Sequence, residues 1–300
     1  MRKKLVSLLV IAVTVMMLAA GCGTKEEKPE NNGKQDKSAQ TETGKSTETG
    51  TDVEVKKDTF KVGLEAAYPP FNWTQLDDSN GAVPIDGSKE FAGGYDVEIA
   101  KQIADGLGKE LVIVKTEWDG LLPSLLSGKI DAIIAGMSPT EDRKKSIDFS
   151  DNYYESELVM VVKKGGAYEN ASSIQDFSGA KVTAQLNTFH YTVIDQIQGV
   201  KQETAMDNFP AMRVALEAGA IDGYVSERPE GVSASAANAN FAMVVFTDGF
   251  QTTPDDTAVA VGLQKGSDLT SKVNEVLAGI SKEKRVEIMD NAIKNQPAAE

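Results

Sequence analysis

The chain has 300 residues, a formal net charge of −14, one cysteine and one histidine, and 41% of its residues are hydrophobic. This acidic balance offers no basic stripe to neutralise phosphates, which argues against a nucleic-acid partner. A single cysteine excludes an intrachain disulfide, and a single histidine excludes a metal site built on two histidines.

Met1-Arg2-Lys3-Lys4 is basic, the run from Leu5 to Ala20 is apolar, and Gly21-Cys22 follows. That order predicts a secretory signal over residues 1–21, because the run falls short of the roughly 20 residues a spanning helix needs. From Gly23 to Asp52 only Pro29 and Ala39 lack a polar side chain or glycine. Residues 22–57 are therefore predicted to be a flexible tether, unable to bury enough apolar surface to offset its ordering entropy. Beyond it, apolar runs predict strands over residues 60–64, 111–114, 130–135 and 158–162, with helices over 97–107 and 121–126. The alternation continues with strands over 182–185, 221–225, 242–246 and 258–262, and helices around Val193 and over 209–217, 269–280 and 282–293. Strands alternating with helices indicate an α/β architecture with parallel-type sheets. Breaks at Lys163-Lys164-Gly165-Gly166 and Thr252-Thr253-Pro254-Asp255-Asp256 divide it into two lobes: residues 58–163 plus 255–300, and residues 164–254.

Two places carry chemistry. The run over 130–135 passes through Gly136 into Ser138-Pro139-Thr140-Glu141, in which Ser138 and Glu141 have capping-box spacing and Pro139 suits a first helical position. A helix start attracts an anion, and Arg143 adds a fork that holds a carboxylate through two hydrogen bonds. Residues 218–225 then echo residues 127–134, displaced by 91 from Gly128 to Gly219. The first copy leads to Ser138 and Arg143, the second to Ser226 and Glu227. A cation and an anion at equivalent strand ends suggest a cleft for a zwitterion, at the strand ends where open α/β sheets bind ligands. Asp131 and Asp222, just before each strand, read as structural turn residues.

Tyr68-Pro69-Pro70-Phe71, Gly94-Tyr95-Asp96-Val97-Glu98-Ile99-Ala100, Trp118-Asp119-Gly120-Leu121, the Ser138–Arg143 turn and Asp148-Phe149-Ser150-Asp151 occur in this order. Together they resemble the solute-binding proteins of polar amino acid ABC importers, over residues 59–293. The resemblance implies the two-lobed, type II periplasmic-binding-protein-like fold, with two hinge strands that close over one amino acid. It also implies a set of ligand contacts. Arg143, Ser138 and the backbone near Gly136 and Thr188-Phe189 hold the α-carboxylate, and Glu227 holds the α-ammonium where Asp is usual. Tyr68 and Trp118 sandwich the side chain, and Glu65 and Gln185 meet its end. Asn187 stands where the family usually has glycine. Glu65 with two aromatic rings suits lysine or arginine, through ion pairing and cation–π contact; Gln185 suits glutamine as the rival. Leu18-Ala19-Ala20-Gly21-Cys22 resembles a lipobox, which implies lipidation at Cys22 and a location on the outer face of the cell membrane. A monomer serving an ABC transporter permease, without cofactor, follows from the same resemblance.

Two other classes remain open. An enzyme on this fold, such as a dehydratase, needs a positioned acid or base. No HExxH, P-loop, GxGxxG or nucleophile-elbow motif supplies one, and His190 reads as a helix-start or surface residue. A sensory domain would need a separate membrane partner.

Overall fold

The computed structural model describes residues 58–297; the expected signal, Cys22 and the tether lie outside the described residues. Thr59–Leu64 places Phe60, Val62 and Leu64 on one buried face, as a period-two strand must. It is the second strand of a five-stranded sheet ordered Glu110–Lys115, Thr59–Leu64, Ala132–Ile133, Ala258–Leu263, Asp148–Glu155. The first three strands are parallel, and Ala258–Leu263 runs antiparallel to both of its neighbours. A second five-stranded sheet, Lys201–Gln202, Lys181–Thr183, Gly223–Glu227, Leu158–Lys163, Phe241–Val244, repeats the same succession of directions. In each sheet the antiparallel fourth strand is the one that follows a crossing from the other lobe.

That topology corrects one boundary. Leu158–Lys163, expected in the first lobe, pairs with Gly223–Glu227 and Phe241–Val244 in the second sheet. The crossing therefore lies at Ser156-Glu157. The Lys163–Gly166 break is a turn at the sheet's end, where Gly166 N–H donates to the Lys163 carbonyl. After Thr252–Asp256 the chain enters Ala258–Leu263, which pairs in the first sheet. Thr253 caps the short helix Pro254–Thr257 in a capping box with Asp256.

The strand expected over 130–135 contracts to Ala132–Ile133 because Asp131 is committed elsewhere. Its carboxylate accepts the Lys61 N–H at 2.8 Å while its own N–H bonds the Lys61 carbonyl. Asp222 treats Lys181 in the same way, also at 2.8 Å. Both aspartates thus clamp the start of a parallel pair, as structural turn residues. The helices that precede these strands, Trp118–Leu126 and Phe209–Ala218, bury Leu121 and Leu125, and Met212 and Leu216, against their sheets.

A small antiparallel sheet, Ala67–Tyr68, Asn72–Gln75, Phe91–Gly93, Val83–Pro84, has strands too short to register as periodic runs. It carries Tyr68 to the interlobe cleft. The helices Leu269–Ala278 and Lys282–Asn295 return to the first lobe and pack on Tyr95–Leu107. Among the described residues no helix is long and apolar enough to cross a membrane.

Candidate functional site

The carboxyl-side ends of the two central strand regions face one cleft. On the first lobe Gly136 has φ 62°, and a Cβ there would lie 2.6 Å from Cε1 of Tyr68, so the ring approach requires glycine. The turn that follows differs from the capping box expected at Ser138. The helix is the single turn Glu141–Lys144, its N-cap is Thr140, and no side chain caps it. Ser138 stays outside because its carbonyl accepts Nη1 of Arg143 at 3.0 Å, which folds the arginine back over the extended turn. Nη2 of Arg143 donates across the cleft to the Asn187 carbonyl at 3.3 Å, and the guanidinium carbon stands 5.1 Å from the Trp118 ring centre. Burial pulls Arg143 down to about 10, opposed by the charge of Glu227, so it remains cationic near neutrality.

Beneath this turn lies a support that the sequence did not disclose. Asp96 is fully buried and accepts hydrogen bonds from Tyr153 Oη at 2.7 Å and Asn72 Nδ2 at 2.8 Å. Tyr153 Oη in turn accepts the Gly136 N–H at 3.3 Å. Burial pushes Asp96 up to about 6, against the pull of these hydrogen bonds. The Gly94-Tyr95-Asp96 motif thus props the Gly136 loop from below as well as opening a helix.

On the second lobe, Glu227 ends the strand Gly223–Glu227 with 0% exposure, and neither carboxylate oxygen has a hydrogen-bond partner. Arg228 pairs with Glu157 and not with its neighbour. Nε2 of His190 lies 3.5 Å from Oε1 of Glu227, and both imidazole nitrogens are likewise buried and unpartnered. His190 is therefore no surface residue; the turn Phe189–Thr192 tucks it under the strand end. Thr188 precedes that turn, its hydroxyl donating to the Gln185 carbonyl at 2.6 Å. Asn187 adopts φ 55°, a left-handed conformation that asparagine tolerates better than other side chains, which explains how it replaces glycine here. Its Nδ2 donates to Asp119 of the first lobe at 2.9 Å.

Glu65 and Gln185 meet across the cleft, the amide donating to both carboxylate oxygens at 3.0 and 3.1 Å. Burial raises Glu65 to about 7; the amide lowers it, and the nearby Glu117 and Asp119 carboxylates raise it further. Tyr68 stacks on Phe209 of the second lobe, with ring centres 4.2 Å apart and planes 10° from parallel. Trp118 faces Arg143 in place of Tyr68, so the expected two-ring sandwich is not assembled in this closed form.

Tyr68, Trp118, Gly136, Ser138, Arg143, Gln185, Thr188 and Phe189 line one small cavity of about 10 Å³, together with His190 and Phe209. Such a volume suits about one water, so the lobes stand shut on one another. Glu65 reaches this cluster through Gln185, and Glu227 through His190. Sequence reasoning missed His190 and Phe209. A signal for Phe209 was present: it is the counterpart of Trp118 at the same 91-residue displacement, and each opens the helix of its repeat. His190 had none, because its proximity to Glu227 is purely tertiary.

The profile of the family described as bacterial extracellular solute-binding proteins, family 3, matches residues 60–292. The chain is 33% identical over 230 residues to the L-cystine-binding protein TcyJ of Escherichia coli, covering 76% of this chain and 79% of that protein. It is 29% identical to the ABC transporter glutamine-binding protein GlnH of Bacillus subtilis, covering 99% of each. Among solved structures, an amino acid ABC transporter substrate-binding protein from Streptococcus pneumoniae bound to L-arginine superimposes with a TM-score of 0.69. That pair shares 29% identity and covers 79% of this chain and 94% of that one.

Proposed function

The chain belongs to the bacterial extracellular solute-binding proteins of family 3, and on that premise we propose that its cleft binds one free amino acid with a cationic side chain. The observation that carries this reading is the pairing of Arg143 on one lobe with a wholly buried, unpartnered Glu227 on the other. A buried carboxylate without hydrogen bonds is costly unless a cation meets it. A zwitterion supplies that cation to Glu227 and a carboxylate to Arg143, Ser138 and the Thr188 turn.

The third charge points to the side chain. Glu65 is buried, is raised to about 7 and faces an amide with no cation bonded to it. A lysine or arginine side chain reaching it between the aromatic rings would restore its ionised form. Glutamine is the second reading, favoured by the Gln185 amide and by the relation to a glutamine-binding protein. A thermal-shift panel of the twenty amino acids, followed by calorimetry, tests both; the basic reading predicts the largest stabilisation with arginine or lysine, and a glutamine-only response rejects it.

Delivery works by lobe closure. The ligand bridges Arg143 and Glu227, so it binds the closed form better than the open one and shifts the population toward it. An ABC permease then recognises the closed shape, and Cys22, carrying lipid, holds the monomer at the outer face of the membrane. Cys22→Ala releases the protein into the medium on this reading; retention in the membrane fraction refutes the anchor.

A further inference from the structure

We propose that His190 is the resident counter-cation of Glu227 in the ligand-free protein, and that the α-ammonium of the ligand displaces its proton. The inference deepens the reading of the cleft as an amino acid site and rests on it.

Glu227 has 0% exposure and two oxygens without hydrogen bonds; His190 has two ring nitrogens in the same condition, and Nε2 stands 3.5 Å from Oε1. A carboxylate so placed needs a positive partner. Arg143 is held by the carbonyls of Ser138 and Asn187. Glu230, on the adjoining helix, is matched by Arg213, Tyr224 and Ser226. Tyr68, Tyr154, Asp96 and Arg143 also feel the charge of Glu227; of these only Arg143 is a cation, and its guanidinium makes no ion pair with Glu227 within 4 Å. Asp195, in the turn continuing from His190, points to solvent. The imidazole is thus the nearest group able to become cationic without leaving its place.

When an ammonium arrives, two cations compete for one carboxylate. Histidine gives up its proton far more readily than an aliphatic amine does. The proton passes to solvent, and Nε2 is left with a lone pair that accepts one of the three ammonium hydrogens. His190 then orients the ammonium beside Glu227, and amino acid uptake is coupled to proton release.

This is the only histidine of the chain, so its ring signals in a proton NMR spectrum need no assignment. Followed from pH 5 to 8 in the full chain, they are expected to report the neutral ring at lower pH when L-arginine is saturating than when it is absent. Identical curves with a bound ligand overturn the proposal. By calorimetry, the acid-side slope of log affinity against pH is shallower in His190→Gln than in wild type by up to about one log unit per pH unit, whatever Glu65 contributes to both. Equal slopes overturn it as well. If no amino acid binds, the functional reading fails, and the ligand-free arm still decides the pairing: wild type and Glu227→Gln must give separate histidine curves, and superimposed curves refute it.

Discussion

The two strand ends that meet in the cleft share one backbone plan and opposite electrostatics. In the first lobe Arg143 is supplied with protein acceptors, the Ser138 carbonyl on its own side and the Asn187 carbonyl opposite. In the second, Glu227 is deeper and has no donor at all. A repeated α/β unit therefore does not imply a repeated role. The cationic half has backbone acceptors on both lobes, whereas the anionic half has only the His190 imidazole beside it, at 3.5 Å. On the proposed reading, the shortage on the anionic side makes the ammonium the group that gives the ligand its differential hold on the closed state.

The comparison is broken most severely by Arg143→Ala. Truncating one partner of a buried charge pair costs about 2–5 kcal/mol, since the other charge is left unpaired. Binding should become unmeasurable at micromolar protein by calorimetry, and unchanged affinity would remove Arg143 from the site. Next comes Gly136→Ala, which forces a side chain into a φ of 62° and to 2.6 Å from the Tyr68 ring. A loss of at least about 1 kcal/mol in urea unfolding is expected, together with weaker binding.

Asn187→Gly sharpens the picture without disturbing the backbone. It keeps the left-handed conformation and deletes only the interlobe bond to Asp119, worth about 0.5–1.5 kcal/mol. Small-angle scattering should show a larger ligand-free protein, with an affinity loss of only a few fold. The smallest effect is a pH dependence. Glu65 is raised from 4.5 to about 7, chiefly by burial, so its contribution to stability is complete below about 4.5 and is lost as pH rises through about 7. Glu65→Gln should flatten the denaturation midpoint across that window, and a basic ligand should restore stability above it in wild type.

Much of this site could be read from single residues. Arg143 and Glu227 were legible because each follows a short apolar strand and the two segments repeat at a fixed displacement. Asp131 and Asp222 were legible because an aspartate opening a parallel strand has backbone N–H groups within its reach. The capping box at Ser138 was not realised, since the pull of Arg143 on the Ser138 carbonyl outweighs one local capping bond. The placement of Leu158–Lys163 also escaped reading. An apolar run buried on both faces fits either sheet, and only its antiparallel partners decide between them. The strands of the small sheet are too short for any periodic signal.

The sequence by itself determined the α/β alternation, the doubling of the unit and the charges at its two strand ends. These depend on local periodicity and on residue type, which a chain carries wherever it folds. Tertiary structure alone decided that Tyr68 rests on Phe209, that Asp96 braces Gly136 through Tyr153, and that His190 lies beside Glu227. Those contacts join residues separated by 17 to 141 positions along the chain. Only the first joins the two lobes; the others arise where each lobe's own packing buries polar groups together, and buried polar groups must then find partners.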